Sequence, residues 1–411
     1  MSKEEMKIVI VGHVDHGKSS LIGRFLYDTG CVPAEKMEEI KKISAGLGKK
    51  TEFSFIVDNL KEERDKGITI DTAQTFFKTE KRNYVIIDAP GHKVFIKNMM
   101  TGASQADTSI LIVSAFEGIE EQTKRHAFIL SMMNLKRNIV VINKMDLVDY
   151  KQGKFNNIKD EICSFAKSID IVPNQIIPIS AANGDNIAAR SDKMKWYKGP
   201  TLLEALDSLD KEIDIEGKPL RLPVQDVYQI NNKNIIVGKI ESGSLKAGDK
   251  VIIVPEKKVV TIKTVEEFGR ERTSAQAPES IGITLEKDEN IKRGEIICTF
   301  DNISPVVQSL KCSLFWMSQK PSIINDNFIF RCTTQAIPCK ITKIYERMDS
   351  STLEILEKDA SILNNTEVGE IEIQTEIPVA VELFTNIPEL GRFVLEKENA
   401  EIVAGGIVTH L

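Results

Sequence analysis

Eight residues near the start of the chain read Gly12-His13-Val14-Asp15-His16-Gly17-Lys18-Ser19, a Gly-x4-Gly-Lys-Ser pattern. They follow the apolar run Lys7-Ile8-Val9-Ile10-Val11 and precede the helical spacing Leu21, Ile22, Phe25, Leu26. A glycine-rich loop between a buried strand and a helix constrains the fold strongly. It calls for a βα unit in an α/β domain with a mostly parallel sheet. Such a loop turns its backbone N–H groups inward, where they cradle polyphosphate at the positive end of the helix. Lys18 then reaches the β and γ phosphates, and Ser19 holds Mg²⁺. The candidate phosphate-binding residues are Gly12, His13, Val14, Asp15, His16, Gly17, Lys18, Ser19 and Ser20.

Three more apolar runs end in residues suited to the same ligand. Tyr84-Val85-Ile86-Ile87 leads into Asp88-Ala89-Pro90-Gly91-His92. An acid at a strand end holds Mg²⁺, usually through water. Gly91 lets a backbone N–H approach a γ-phosphate, since no Cβ intervenes. His92 follows that glycine in the slot where many GTPases place a water-orienting glutamine, so it is the candidate catalytic residue. Asn138-Ile139-Val140-Val141-Ile142 leads into Asn143-Lys144-Met145-Asp146. The Asp146 carboxylate suits guanine, which offers two donors, N1–H and the 2-amino group, where adenine has no such pair. Ile176-Ile177-Pro178-Ile179 leads into Ser180-Ala181-Ala182, whose backbone can meet the guanine O6. Thr69, in Gly67-Ile68-Thr69-Ile70, is placed to close on Mg²⁺ and the γ-phosphate in the triphosphate state only. The expected ligands are therefore GTP or GDP with Mg²⁺, with Ser19, Thr69 and Asp88 around the metal and Lys18, Thr69 and His92 around the chemistry.

The 411 residues allow two or three domains with real cores. A net charge of −6 supplies no global field for nucleic acid or an anionic membrane. Cys31, Cys163, Cys298, Cys312, Cys332 and Cys339 include no Cys-x-x-Cys pair, so reduced and mostly buried thiols are expected. No apolar run approaches membrane-spanning length, and Met1–Met6 has no signal-peptide core, which together lead us to expect a cytoplasmic protein.

Residues 1–212 alternate strand and helix patterns, hence a GTP-binding α/β domain. A Lys/Glu-rich helix is expected over Glu35–Leu47, a hairpin turning at Glu80–Asn83, a helix beginning around Gln122–His126, and a last helix over Pro200–Leu209. Lys211–Lys218 reads as a charged linker. Beyond it, glycine punctuates short β-rich runs, expected to form one β-barrel over 218–303 and a second over 306–411. The expected architecture is an α/β P-loop domain with a mostly parallel sheet, followed by two small β-barrels.

Four of these phrases, Gly12–Ser19, Arg64–Ile70, Asp88–His92 and Asn98–Ala103, resemble the translation-factor-type GTPase superfamily. The resemblance implies that His92 positions the attacking water, with Val14 and Ile68 as an apolar gate beside it. It leaves two roles open for Asp15: holding a monovalent cation, or stabilising the loop. The roughly fifty residues from Lys18 to Ile68 resemble the branch that holds elongation factor 1 alpha, its release-factor relatives and the large subunit of bacterial sulfate adenylyltransferase. Asn143–Tyr150, Ser180–Leu203 (with Gly184-Asp185-Asn186 and then Met194–Leu203) and Leu314–Met317 are similar to the sulfate enzyme's subunit, the middle stretch being shared with elongation factor 1 alpha. That similarity implies a GTPase working beside a small catalytic subunit that makes adenosine 5′-phosphosulfate from ATP and sulfate, with no membrane or nucleic-acid partner. Pro219–Tyr228 and Leu390–Phe393 are instead similar to elongation factor 1 alpha. Under that alternative the partner is aminoacyl-tRNA or another RNA-linked body, although Arg331–Lys340 departs from that factor's histidine-containing pattern.

Overall fold

The computed structural model describes the chain apart from residues 1–4, 14, 47–50, 58–73, 89–105, 134, 136, 170, 210–216, 231–232 and 268–269, and apart from the Asp88 side chain. The expected linker thus lies largely outside the described residues. The chain divides into two units, Met1–Lys211 and Glu212–Leu411.

The first unit is built on six strands: β1 (Glu5–Gly12), β2 (Gln74–Lys78), β3 (Asn83–Asp88), β4 (Thr108–Ser114), β5 (Asn138–Asn143) and β6 (Gln175–Pro178). They lie in the order β2-β3-β1-β4-β5-β6. β2 runs antiparallel to β3, as the hairpin pattern requires, and every other neighbouring pair is parallel. The four strands read from the sequence do not include β4, a strand buried at every residue beside β1. It carries no nucleotide motif, and its unbroken apolar run gives periodicity nothing to read. Filling of the sheet changes direction at β1, and the glycine-rich loop follows that strand, at the switch point where open α/β sheets bind ligands.

Helix α1 (Lys18–Asp28) buries Leu21, Ile22, Phe25 and Leu26 against the sheet, the apolar stripe its spacing predicts. Helix α2 (Ala34–Gly46) buries Met37 and Ile40. Helix α3 (Glu121–Met132) follows β4, α4 (Gln152–Ser168) follows β5, and α5 (Leu202–Ser208) ends the unit. Thr201 starts α5 with a capping box: its hydroxyl accepts from Glu204 N, and the Glu204 carboxylate accepts from Thr201 N.

The second unit is antiparallel β structure. Its first barrel comprises β7 (Arg221–Ile230), β8 (Lys233–Lys239), β9 (Ser244–Lys246), β10 (Lys250–Val254), β11 (Lys258–Glu267), β12 (Arg270–Arg272), β13 (Ser274–Gln276), β14 (Ser280–Leu285) and β15 (Ile296–Thr299). The order β10-β15-β7-β8-β14-β11 closes on itself because β10 also pairs with β11. β11 pairs with β10 through Thr261 and with β14 from Ile262 on, where the register shifts between Ile262 and Thr264, and such a shift lets one strand turn a corner. The second barrel comprises β16 (Val306–Trp316), β17 (Ser322–Ile323), β18 (Asn327–Cys332), β19 (Gln335–Asp349), β20 (Ile355–Ala360), β21 (Ile362–Leu363), β22 (Glu367–Ala380), β23 (Arg392–Glu396) and β24 (Ile402–His410). Its ring closes in the same way through β18 and β19. Each ring encloses its own apolar core. The expected class, an α/β P-loop domain followed by two β-barrels, is the one the chain adopts.

A third apolar cluster, Val254, Ile296, Cys298, Ala380, Ile387 and Leu390, joins residues of the two barrels. Beside it Arg221 of the first barrel is buried with Glu382 of the second, Nε to Oε1 at 2.7 Å. The remaining guanidinium donors go to Leu220 O, Asn302 O and Asn302 Oδ1, each at 2.9 Å, so the buried charge is fully hydrogen-bonded. Cys298, Cys312, Cys332 and Cys339 are buried thiols, while Cys31 and Cys163 are exposed. Among the described residues, no helix is long and apolar enough to cross a membrane.

Candidate nucleotide site

The loop after β1 wraps around its own lysine. Lys18 Nζ donates to Gly12 O and His13 O, both at 2.8 Å, which holds the ammonium at the mouth of the loop. Gly17 is the N-cap of α1 at φ 96°, a conformation that favours glycine, and it brings no side-chain cap to the helix. The first-turn N–H donors are thus left to a ligand, beside the half-buried Ser19 and Ser20. Gly12 meets β4 so closely that a Cβ would overlap Ile112, and a Cβ on Gly17 would lie 2.5 Å from Asn143 Nδ2. Asp15 is exposed at φ 65°, and its carboxylate takes no hydrogen bond among the described residues. This cradle of backbone donors with one ammonium and one hydroxyl fits a phosphate–Mg²⁺ group.

The residues expected to meet the base converge on the same loop. Asn143 ends β5, donates from Nδ2 to His16 O at 2.9 Å, and accepts at Oδ1 from Ala181 N at 2.9 Å. Its amide therefore ties the phosphate loop to the Ser180-Ala181-Ala182 loop. Asp146 lies in a short 3-10 helix, Met145–Val148, and Oδ1 accepts from the buried Ser180 hydroxyl at 2.6 Å. The other carboxylate oxygen takes no hydrogen bond among the described residues and is available to a ligand. Lys144 takes a left-handed conformation, φ 61°, and its ammonium lies 3.6 Å from Glu117 Oε2. Ala181 is buried and Ala182 exposed.

Two histidines are buried in the interior of this region. His16 is fully buried, with Nδ1 3.3 Å from Ile112 O and Nε2 3.4 Å from Glu117. Burial pulls its pKa down to about 4, against the opposing influence of Ile112 O and Glu117. His126, on α3, is pulled down to about 3 by burial first and by the nearby Lys18 second. Both rings are neutral at pH 7, so Lys18 remains the principal cation facing a phosphate from the loop.

The structure brings Gly12, His13, Asp15, His16, Gly17, Lys18, Ser19, Ser20, Asn143, Lys144, Asp146, Ser180, Ala181 and Ala182 to one edge of the sheet. Asp88 ends β3, at the same edge. Val14, Thr69, Gly91 and His92 lie outside the described residues, as do Arg64 and Ile68. Sequence reading passed over Glu117, which stands on the turn after β4 between His16 and Lys144. Its only sequence signal was an acid just past an apolar run.

Residues 3–212 match the family of the elongation factor Tu GTP binding domain, 234–298 that of elongation factor Tu domain 2, and 309–409 that of the GTP-eEF1A C-terminal domain. Elongation factor 1-alpha of Methanopyrus kandleri is 38% identical over 419 residues, covering 98% of this chain and 97% of its own length. The same factor from Pyrococcus horikoshii is 38% identical over 420 residues, covering 99% and 98%.

These relatives overturn the expectation of a sulfate adenylyltransferase subunit, and with it the small catalytic partner and the exclusion of nucleic acid. Outside the Asn143–Asp146 and Ser180–Ala182 motifs, which belong to the candidate nucleotide site itself, the stretches that suggested it are scaffold. Trp196 Nε1 donates to Tyr150 O at 3.0 Å, Phe155, Trp196 and Tyr197 pack together, and Trp316 Nε1 donates to Lys320 O at 2.8 Å. Such contacts report a shared fold and carry no information about a partner. Nor does overall charge, which averages over the whole surface. The departing segment Arg331–Lys340 is likewise structural: Gln335 pairs with both backbone groups of Ala380 (2.8 and 3.0 Å), and Cys332 and Cys339 are core residues. The chain belongs to the family of elongation factors Tu and 1-alpha, three-domain GTPases that bind GTP and GDP with Mg²⁺.

Proposed function

We propose that this chain is a translation GTPase of the elongation factor 1-alpha kind, which binds aminoacyl-tRNA in its GTP form and releases it after ribosome-stimulated hydrolysis. The observation that carries the nucleotide half is the Asn143 amide, which joins the phosphate loop to the base loop and makes them one site. Asp146 reads the guanine donors, Lys144 and Ser180–Ala182 shape the base pocket, and the loop Gly12–Ser20 holds the phosphates. Ser19, Thr69 and Asp88 would hold Mg²⁺, which would supply positive charge to offset that of the phosphates. Gly91 admits a backbone N–H to the γ-phosphate, and His92 orients the water. The working division is 1–212 for nucleotide, with 218–303 and 306–411 as the barrels, and the setting is the cytoplasm.

The test is protection of the aminoacyl ester. The GTP-loaded protein should slow spontaneous deacylation of aminoacyl-tRNA, and the GDP-loaded protein should not. Programmed ribosomes should then stimulate GTP hydrolysis in the wild type, and much less in His92→Ala at undiminished GTP affinity. No protection by the GTP form at any protein concentration would remove the aminoacyl-tRNA half of this reading and leave the nucleotide site standing.

A further inference from the structure

One arginine outside the nucleotide motifs supports the base-reading loop from behind. Arg24 lies on α1, two turns beyond the phosphate loop, with its side chain 17% exposed. Its Nε donates to Asp28 Oδ1 at 2.8 Å, one helical turn on, which fixes the plane of the guanidinium. That plane lies over the Phe53 ring, Cζ to centroid 4.8 Å, and near the Tyr27 ring at 5.5 Å. The guanidinium also lies against Gly184: a Cβ built there would overlap it, and all three of the nearest atoms belong to Arg24. Gly184 sits at φ 78° and closes a tight loop on Ser180. Gly184 N donates to Ser180 O at 2.7 Å, and Ser180 N and Asp185 O are 3.2 Å apart. Ser180 is the residue whose hydroxyl holds Asp146.

From these contacts we infer that Arg24 is a positioning residue for guanine recognition: its guanidinium presses on Gly184, and the 180–185 loop passes that support through Ser180 to the Asp146 carboxylate. The role rests on the proposal that Asp146 reads the base. A lysine does not substitute, because the contact needs a flat group wedged between a ring and a glycine, whereas an ammonium is compact and strongly hydrated. The backing need not alter phosphate binding, since among the described residues Arg24 makes no hydrogen bond or ion pair to the loop Gly12–Gly17.

Inosine diphosphate tests this directly. It lacks the 2-amino group and so gives up one of the two donors offered to Asp146. Affinities for GDP and inosine diphosphate are measured on the full chain for the wild type, Arg24→Ala, Arg24→Lys and Gly184→Ala, with thermal midpoints alongside. Loosening one hydrogen bond to a base should narrow the preference for GDP about fivefold in Arg24→Ala. Arg24→Lys should recover little of it. Gly184→Ala, which pushes on the same contact from the loop side, should narrow the ratio too and provides the test if Arg24→Ala fails to fold. A ratio unchanged in the folded variants, with both affinities moving together or not at all, would overturn the positioning role and leave a structural one. A wild type that binds ADP as well as GDP would instead overturn the base-reading assignment of Asp146, and the role of Arg24 with it.

Discussion

The sheet domain and the paired barrels differ in where their buried polar groups lack partners. In the first unit, His13 Nδ1, His16 Nε2, Gln122 Oε1, Thr123 Oγ1 and His126 Nδ1 are buried without a hydrogen bond among the described residues, gathered around the phosphate loop and the start of α3. In the second, only the hydroxyls of Ser322 and Thr334 are so placed among the described residues, and the largest buried polar group, Arg221, has its guanidinium hydrogen-bonded on every nitrogen. A parallel sheet ends its strands in loops that point backbone donors outward at one edge, and a ligand completes them. A closed antiparallel ring has no such edge, so its large or charged polar groups have to be matched within the protein. The difference marks where a ligand belongs and where a scaffold has to hold shape.

The largest effect should come from breaking the matched side. Arg221→Ala leaves Glu382 buried and unpaired, which should destabilise the second unit by about 3–5 kcal/mol. Arg221→Met with Glu382→Leu, which removes both charges, should recover most of that loss. Denaturant unfolding of the three proteins measures it, and a single mutant as stable as wild type would mean the pair contributes nothing.

The unmatched side should respond to pH. His16 and His126 have folded pKa values of about 4 and about 3, below the ordinary 6.5. The unfolded chain therefore takes up protons first as pH falls. The stability contributed by the neutral rings is complete above pH 6.5 and is lost on acidification towards 4 and then 3. Between pH 7 and pH 5 the loss should be on the order of 2 kcal/mol for each histidine. His126→Leu should flatten that slope without lowering stability at neutral pH, because it removes a ring whose Nδ1 has no partner among the described residues. Equal slopes in the two proteins would take His126 out of the account.

The smallest effect belongs to a matched group inside the first unit. Thr201→Ala removes the hydroxyl half of the α5 capping box and should cost about 1 kcal/mol. If GDP affinity fell with it, the end of the sheet domain would be coupled to the nucleotide site, and the contrast between ligand edge and scaffold would blur.

Sequence alone determined the loop after β1, the strand-end motifs at Asp88, Asn143 and Ser180, the stripe of α1 and the change from sheet to barrels near residue 212. Each rests on local order: a spacing, a glycine, or an acid at the end of an apolar run. It did not determine β4, whose apolar run has no period, or Glu117, Arg221 and Arg24, whose partners lie far away in the chain. It placed Asn143 in the guanine motif, and the fold adds that its amide bridges two loops, one 38 residues further along the chain and one 127 residues back. The tryptophans that suggested a sulfate enzyme resolve in the same way, as packing residues shared across a fold. A motif is set by neighbours along the chain. A buried ion pair, a bridging amide or an arginine on a glycine exists only once distant segments have met, so tertiary structure alone could decide them.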